Sequence, residues 1–325
     1  MASESPITLP KGGGAVRGIG ETFAPDLHSG TGNYSIPISV LPGRNGFQPQ
    51  LALTYSSGNG NGPFGLGWAL GVAGISRRTS KGVPRYDASD IFVLSGAEEL
   101  VPVERSATST RYQPRTEGLF ARIYHRHNAA EGHDYWEVAT KDGLISRYGT
   151  PRPVNAPHDW ADPAIVANPN PWRRSFIAAW KLTETVDPFG NRIVYEYERD
   201  AGAAGPHLWD QVYLKRVRYA DYTDSQGVGR FLVSIAFVYG DREVERSDAF
   251  SDYRAGFEIR TRLRCRGIEI ETKTPERDVL GDHRGIGIAS RDGGEVHRIG
   301  ERARRAPHAG LVEHHRERQL GEAAW

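Results

Sequence analysis

The chain has 325 residues, enough to bury a substantial core in two average domains or one large β domain. Its 41 basic and 40 acidic residues leave a net charge of +1, which excludes the one-sided basic excess of an electrostatic nucleic-acid binder. One cysteine, Cys265, excludes an internal disulfide framework, and no apolar run is long enough for a membrane-spanning helix.

A load of 38 Gly and 20 Pro breaks helices and supplies turns, so the expected fold is all-β, many short antiparallel strands joined tightly. Residues 1–33 form a Gly-rich lead with Gly12, Gly13, Gly14, Gly18 and Gly20. It begins with neither a basic stretch nor an apolar core, so no Sec signal is expected. Tyr34, Ile36, Ile38 and Val40 then alternate with smaller or polar residues, the period of a strand. Pro37 removes a ladder donor and places that strand at a sheet edge. Leu51, Leu53 and Tyr55 repeat the alternation, and Gly58–Trp68 is a loop dense in residues that tolerate positive φ.

Further strands are expected at Ile91–Leu94, Leu119–Tyr124, Tyr135–Ala139 and Leu144–Tyr148. Residues 151–171, rich in Pro, Ala and Asn, read as a long surface connection. Beyond it Ile193, Tyr195 and Tyr197 share one face, and Phe231, Val233, Ile235, Phe237 and Tyr239 another, with Tyr213, Val217 and Tyr219 between them. Strand 231–239 is apolar on both faces and expects cover on both. Positions 281–325 change character: five of the eleven histidines, eight arginines, and no Phe or Tyr. Such a segment cannot offset its ordering entropy, so 279–325 is expected to be disordered. The same bias is what an out-of-frame reading of a GC-rich gene produces, and a truncated chain is the expectation it raises.

Candidate chemistry is thin. Neither Gly12–Gly20 nor Gly58–Gly67 fits a phosphate loop, because neither follows a strand and opens a helix. His125, His127, His133 and Asp134 lack the spacing of a zinc set and read as loop residues. Three Glu-x-Glu pairs, Glu196/Glu198, Glu243/Glu245 and Glu269/Glu271, invite an ADP-ribosyltransferase reading with Ser106–Thr110 as its Ser/Thr run. Alternation of Glu with Tyr or Ile is also the wet face of an antiparallel strand, and that reading is preferred. Arginines 262, 264 and 266 around Cys265 favour a thiolate, but no base pairs with it. No catalytic residue, cofactor or metal is therefore expected.

Several ordered stretches resemble the SpvB-type N-terminal domain of the B subunits of insecticidal Tc toxin complexes. They are Leu9–Glu21, Gly30–Gly32, Ile36–Ile38, Leu41–Leu51 with Pro42 and Gly43, and Gly60–Trp68 with Gly62, Pro63, Gly65, Gly67 and Trp68. Gly82–Tyr86 and Phe92–Pro102 continue the likeness, which covers residues 5 to about 278. Thr185–Tyr197 resembles one Rhs/YD repeat: Asp187, Pro188, Phe189 and Gly190 suit a turn, and Asn191 releases the chain into a strand carrying Tyr195 and Tyr197. Asp142–Gly149 is similar to a degenerate copy.

The resemblance implies a module at 34–278 that acts as structural wall, not enzyme. In the family this domain joins a propeller and Rhs repeats, and the B subunit and its C component build a hollow β shell. That shell encloses a toxic polypeptide and docks on a pore-forming A component; the proteins are made in the cytoplasm and act outside the cell. The family's namesake instead carries an ADP-ribosyltransferase after this module. Two alternatives remain from the residues: a fragment of such an ADP-ribosylating toxin, and a carbohydrate-binding or adhesion module using Trp160, Trp172 and Trp180.

Overall fold

The computed structural model describes residues 22–26, 30–116, 118, 120–128, 131–240, 244–273 and 284–287. Among these the chain is β throughout, interrupted only by two single 3-10 turns, Arg44–Gly46 and Pro171–Arg173. Four strands, β1 (Thr22–Asp26), β2 (Thr31–Pro37), β3 (Ala52–Ser56) and β4 (Trp68–Leu70), make an antiparallel sheet in chain order. Nine follow: β5 (Gly74–Arg77), β6 (Phe92–Leu94), β7 (Glu98–Arg105), β8 (Ser109–Pro114), β9 (Arg122–Asn128), β10 (His133–Ala139), β11 (Ile145–Tyr148), β12 (Ile165–Ala167) and β13 (Ile177–Val186).

From β5 to β11 each strand pairs with its predecessor, and β13 pairs with both β11 and β5, so eight strands close into a ring. Closure removes free edges and lets inward side chains fill the interior. Phe92, Tyr112, His125, Trp136 and Trp180 meet there ring to ring, with Trp136 and Trp180 fully buried. Burying each Trp removes roughly 150–250 Å² from water, about 4–6 kcal/mol of transfer free energy.

β13 is shared. The Lys181 N–H donates to Ala164 O and its carbonyl accepts from Gly149 N, so β12 and β11 lie along one edge of β13. The other edge takes β5 through Ala179–Lys181 and then β14 through Glu184–Val186. A second sheet grows from that point in the order β14 (Arg192–Ala204), β15 (His207–Thr223), β16 (Gly229–Tyr239), β19 (Cys265–Thr272) and β20 (Arg284–Gly287), while β17 (Phe250–Asp252) and β18 (Ile259–Thr261) form a separate two-stranded pair. Val217, Tyr219, Ile235 and Ile268 of this sheet pack in one core with Ile38, Leu51 and Leu53 of the N-terminal sheet.

Expectations and structure differ at identifiable points. β2 is not an edge strand, since it pairs with β1 and β3; Pro37 is its last residue, where the strand is ending. The connection 151–171 is not all surface: Ile165–Ala167 are buried as β12, wedged against β13. The strand expected at Leu119–Tyr124 starts later, at Arg122. Strand β16 has β15 and β19 on its edges, and one face is core, while Val238 on the other is 38% exposed. Of 279–325 only Arg284–Gly287 are described, paired antiparallel with β19; the disorder expected of the rest lies outside the described residues.

Candidate functional site

The residues singled out by motif fall into two places: loops that join the N-terminal sheet to the second sheet, and hairpin turns at the end of β13 and β14. Gly12, Gly13, Gly14, Gly18 and Gly20 lie outside the described residues.

The first loop is Leu41–Phe47. The Tyr219 hydroxyl, carried on β15, donates to Leu41 O at 2.5 Å, which seats Pro42 on the second sheet. Gly43 N–H donates to Gln48 Oε1, and a Cβ at Gly43 would lie 1.9 Å from Phe47 O. Only glycine permits that approach. Gly60–Trp68 is the second loop. Arg246 reaches into it, donating to Gly62 O at 2.7 Å and to Asn61 Oδ1 at 3.0 Å. The same guanidinium holds both oxygens of Asp248 at 2.7 Å, and Arg264 adds a contact to Asp248 at 2.8 Å. The Arg246 bonds hold the Asp248 carboxyl well below the usual carboxylate range, against the cost of its burial. Pro63 O accepts from Cys265 N at 2.8 Å, so the loop is bolted to β19 as well. Trp68 then packs between the rings of Tyr34 and Tyr55.

The second place is a turn that repeats. At Asp187–Asn191 the carboxylate accepts from Phe189 N (2.9 Å), Asn191 N (2.8 Å) and Asn191 Nδ2 (2.7 Å), and Gly190, at φ +83°, lets the chain reverse. Burial opposes ionisation there, but the bonds from Asn191 and Phe189 outweigh it and keep the carboxyl below its ordinary pKa. Asp224–Val228 has the same geometry: Asp224 accepts from Gln226 N and Val228 N, both at 2.9 Å, around Gly227. Thr140–Leu144 keeps the backbone pattern with Thr in place of Asp. Its Gly143 sits against Pro188, where a Cβ would lie 2.8 Å from Pro188 Cγ, so two of these turns touch. Tyr195 is buried and Tyr197 packs on the same core, with burial pushing both phenols up.

The enzymatic candidates are not brought together. Glu196 is paired to Arg218, Glu269 projects from β19 on the exposed side between buried Ile268 and Ile270, and Glu243 lies outside the described residues. Ser109 and Thr110 sit on β8 in the ring, whereas β19 lies four strands beyond β13. His125 stacks on Trp136 at 4.3 Å inside the ring and bonds Asp134 Oδ1, while His127 meets Thr110. Thus His125 is a buried strand residue, not the loop residue its sequence neighbours suggest, and no group of three metal-ligating side chains occurs among the described residues. Burial pushes the Cys265 thiol up to about 11, and the nearby arginines turn to Asp200 and Asp248 instead. Of the tryptophans, Trp180 is core, Trp160 half-buried and Trp172 93% exposed. No helix among the described residues is long and apolar enough to cross a membrane.

This arrangement defines an all-antiparallel β module whose motif residues close loops and lock sheets together. Comparison with known proteins supplies its family. Residues 27–270 match the SpvB family, described as Salmonella virulence plasmid 65kDa B protein, and the chain belongs to that family. The mono(ADP-ribosyl)transferases SpvB of Salmonella typhimurium (strain 14028s / SGSC 2262) and Salmonella dublin are each 32% identical over 334 residues, spanning 87% of this chain and 53% of the relative. The chain thus spans about half the length of these relatives. Among solved structures, the N-terminal domain of effector protein SpvB from Salmonella typhimurium strain LT2 aligns with a TM-score of 0.62 and 29% identity, over 77% of this chain and 92% of that one. A chain of TcdB2-TccC3 aligns with a TM-score of 0.67 and 30% identity, over 83% of this chain and 15% of that one. The Photorhabdus luminescens Tc holotoxin pore gives 0.66 and 29%, over 83% and 14%.

Proposed function

We propose that the chain is a non-enzymatic wall module of a bacterial toxin complex, one segment of a β shell that encloses and delivers a toxic polypeptide outside the producing cell. Its partners in this reading are the remaining Rhs-type shell strands with a C component, and a pore-forming A component. The observation that carries the reading is the alignment with a TcdB2-TccC3 chain over 83% of this chain at 30% identity. Local geometry supports it. The Asp turn at 187–191 recurs at 224–228, which is how a YD-type array would begin, each hairpin offering its neighbour the same exposed tip.

The test is a chimera in which residues 22–273 replace the matching segment of TcdB2, co-expressed with TccC3. A monodisperse particle of native size that shields its cargo from added protease is expected. A chimera that aggregates or leaves the cargo open to protease, although the isolated chain folds, sinks the proposal. The transferase alternative is tested by NAD turnover of the chain alone, where none is expected. Turnover that disappears in Glu269→Gln or Glu271→Gln would move the reading to that class.

A further inference from the structure

Lys181 occupies an unusual position on β13. Its neighbours Trp180 and Leu182 are buried in the main core, and Trp180 points into the ring. Strand alternation sends Lys181 the opposite way, out of the ring. There it lines a cavity of about 410 Å³ between the Gly60–Leu70 segment and the second sheet, together with Phe64, Trp68, Tyr197, Tyr213 and Tyr239. It also lines an adjoining recess of about 470 Å³ beside Gly71–Ser76. Both volumes fall in the range of small-molecule pockets.

Among the described residues nothing neutralises the Lys181 ammonium. It makes no ion pair or side-chain hydrogen bond among the described residues, and burial alone pushes it below the ordinary lysine range. Of the three cavity phenols one is committed as a donor and one as an acceptor. Tyr239 donates to Leu214 O at 3.0 Å, and Tyr213 accepts from the N–H groups of Arg262 and Leu263 at 3.0 and 3.1 Å. Tyr197 has no such partner, and burial keeps its hydroxyl protonated. Among the described residues the cavity therefore holds an aromatic wall, one cation with no ion pair, and two hydroxyl donors, those of Tyr197 and Tyr213. Lys181 is half-buried beside these rings, and an entering anion would pair with its ammonium where water is partly excluded.

From this we infer that the cavity binds an apolar carboxylic acid, its carboxylate on Lys181 and Tyr197 and its aryl or acyl body against Phe64 and Trp68. A multiply charged anion such as phosphate fits less well, because a single ammonium is the one charged group lining the pocket and the Asn59 and Asn61 amides that also line it are engaged by Gly67 O and Asp248. The acid group has two sources, a free small acid or the C-terminal carboxylate of an apolar peptide.

The full chain is titrated by calorimetry with 4-phenylbutyrate and octanoate, each against its primary amide. A peptide Phe-Leu-Leu is compared with its C-terminal amide. Saturable binding of an acid at least about tenfold tighter than its amide is expected, which is about 1.4 kcal/mol. Which pair shows that preference identifies the source. In Lys181→Met the preference should vanish while the melting temperature holds or rises, because an uncompensated cation has been removed. Lys181→Gln serves as the second variant, and Lys181→Arg should retain part of the binding. Absence of saturable binding by all three acids, equal affinity for acid and amide, or an unchanged preference in both neutral variants overturns the inference.

Discussion

Two glycines of the Gly60–Trp68 loop offer a matched test of what the motif is for. Both have positive φ, +109° at Gly65 and +80° at Gly67, so alanine is strained at either. Their surroundings differ. A Cβ at Gly65 meets nothing within 4 Å, whereas at Gly67 it would lie 2.4 Å from Tyr55 Cε2 and 3.1 Å from Ser56 O. Tyr55 cannot simply swing aside, because its ring packs on Trp68 at 5.4 Å. Nor can the backbone slide, since Gly67 N–H donates to Gly60 O and its carbonyl accepts from Ser56 N, both at 3.0 Å. Gly65→Ala should therefore cost only the backbone term, about 1–2 kcal/mol. Gly67→Ala should add an overpacking cost of about 1–3 kcal/mol, giving roughly 2–5 in all. Urea unfolding of both variants at constant m-value reads the difference. In a domain of this size each kcal/mol also moves the melting temperature by about 2–4 °C. A second mutation, Tyr55→Ala, should return part of the loss in Gly67→Ala and none in Gly65→Ala. Equal losses at the two glycines, or no coupling to Tyr55, would refute close packing as the reason for the motif.

Asp187→Ala strips three donors of their acceptor and should lower stability by about 1–2 kcal/mol, read by urea unfolding, with Asp187→Asn retaining part. Asp162 is buried, and burial raises its pKa to about 6 despite bonds from Thr150 and Ala164 amides. The folded state thus holds this proton more tightly than the unfolded one. The penalty is absent below about pH 4 and grows to pH 6, reaching about 3 kcal/mol, so subtracting the Asp162→Asn stability curve should reveal a wild-type fall across that window. Cys265 is 1% exposed, with its thiol raised to about 11, so iodoacetamide at pH 8 should label it only after unfolding.

How much was legible in the chain depends on whether a segment has one partner or several. β14 and β16 each bury one face, so their aromatic and β-branched residues alternate, and Ile193, Tyr195, Val233, Ile235 and Phe237 are core as the alternation implies. The turn at Asp187–Asn191 is legible for a different reason: its hydrogen bonds are local, and the residue types dictate them. β12 is the opposite case. Its three residues, Ile165–Ala167, carry no period, and their burial arises only because β13 lies alongside. Ring closure is equally silent, since the β11–β13 and β5–β13 pairings join segments distant in sequence, with nothing local to mark them. Lys181 was missed because a lysine on a strand reads as a solvent-facing residue until its far side is seen to be walled by another sheet.

β15 shows why even a long strand can hide its pattern. Gln211, Val212, Tyr213 and Leu214 are buried in succession, which no one-sided strand allows. Val212 packs with Val166, Ala178, Ala255 and Phe257 in a second, smaller core, while Leu214 joins the main one. The register shift opposite Glu196–Tyr197 leaves Lys215 unpaired and exposed, and beyond it Val217 and Tyr219 take up the main core. Where the strand runs between two cores its polar side chains are enclosed too; Trp209 Nε1 is left without a partner, but Asp210, His207 and Gln211 are matched. Asp210 holds Arg199 through both oxygens at 2.7 Å, His207 meets Glu258 at 2.7 Å, and Gln211 bonds Thr261 at 3.0 Å. Such pairs add little net stability over apolar packing, but removing one partner leaves a buried group uncompensated, at about 3–5 kcal/mol for a charge. They tie the β14–β15 hairpin to β12 through Asp210 and Ala167 N and to the β18 segment through Glu258 and Thr261. A β module that holds its hairpin in one orientation has a physical reason to keep polar contacts where apolar ones would be more stable.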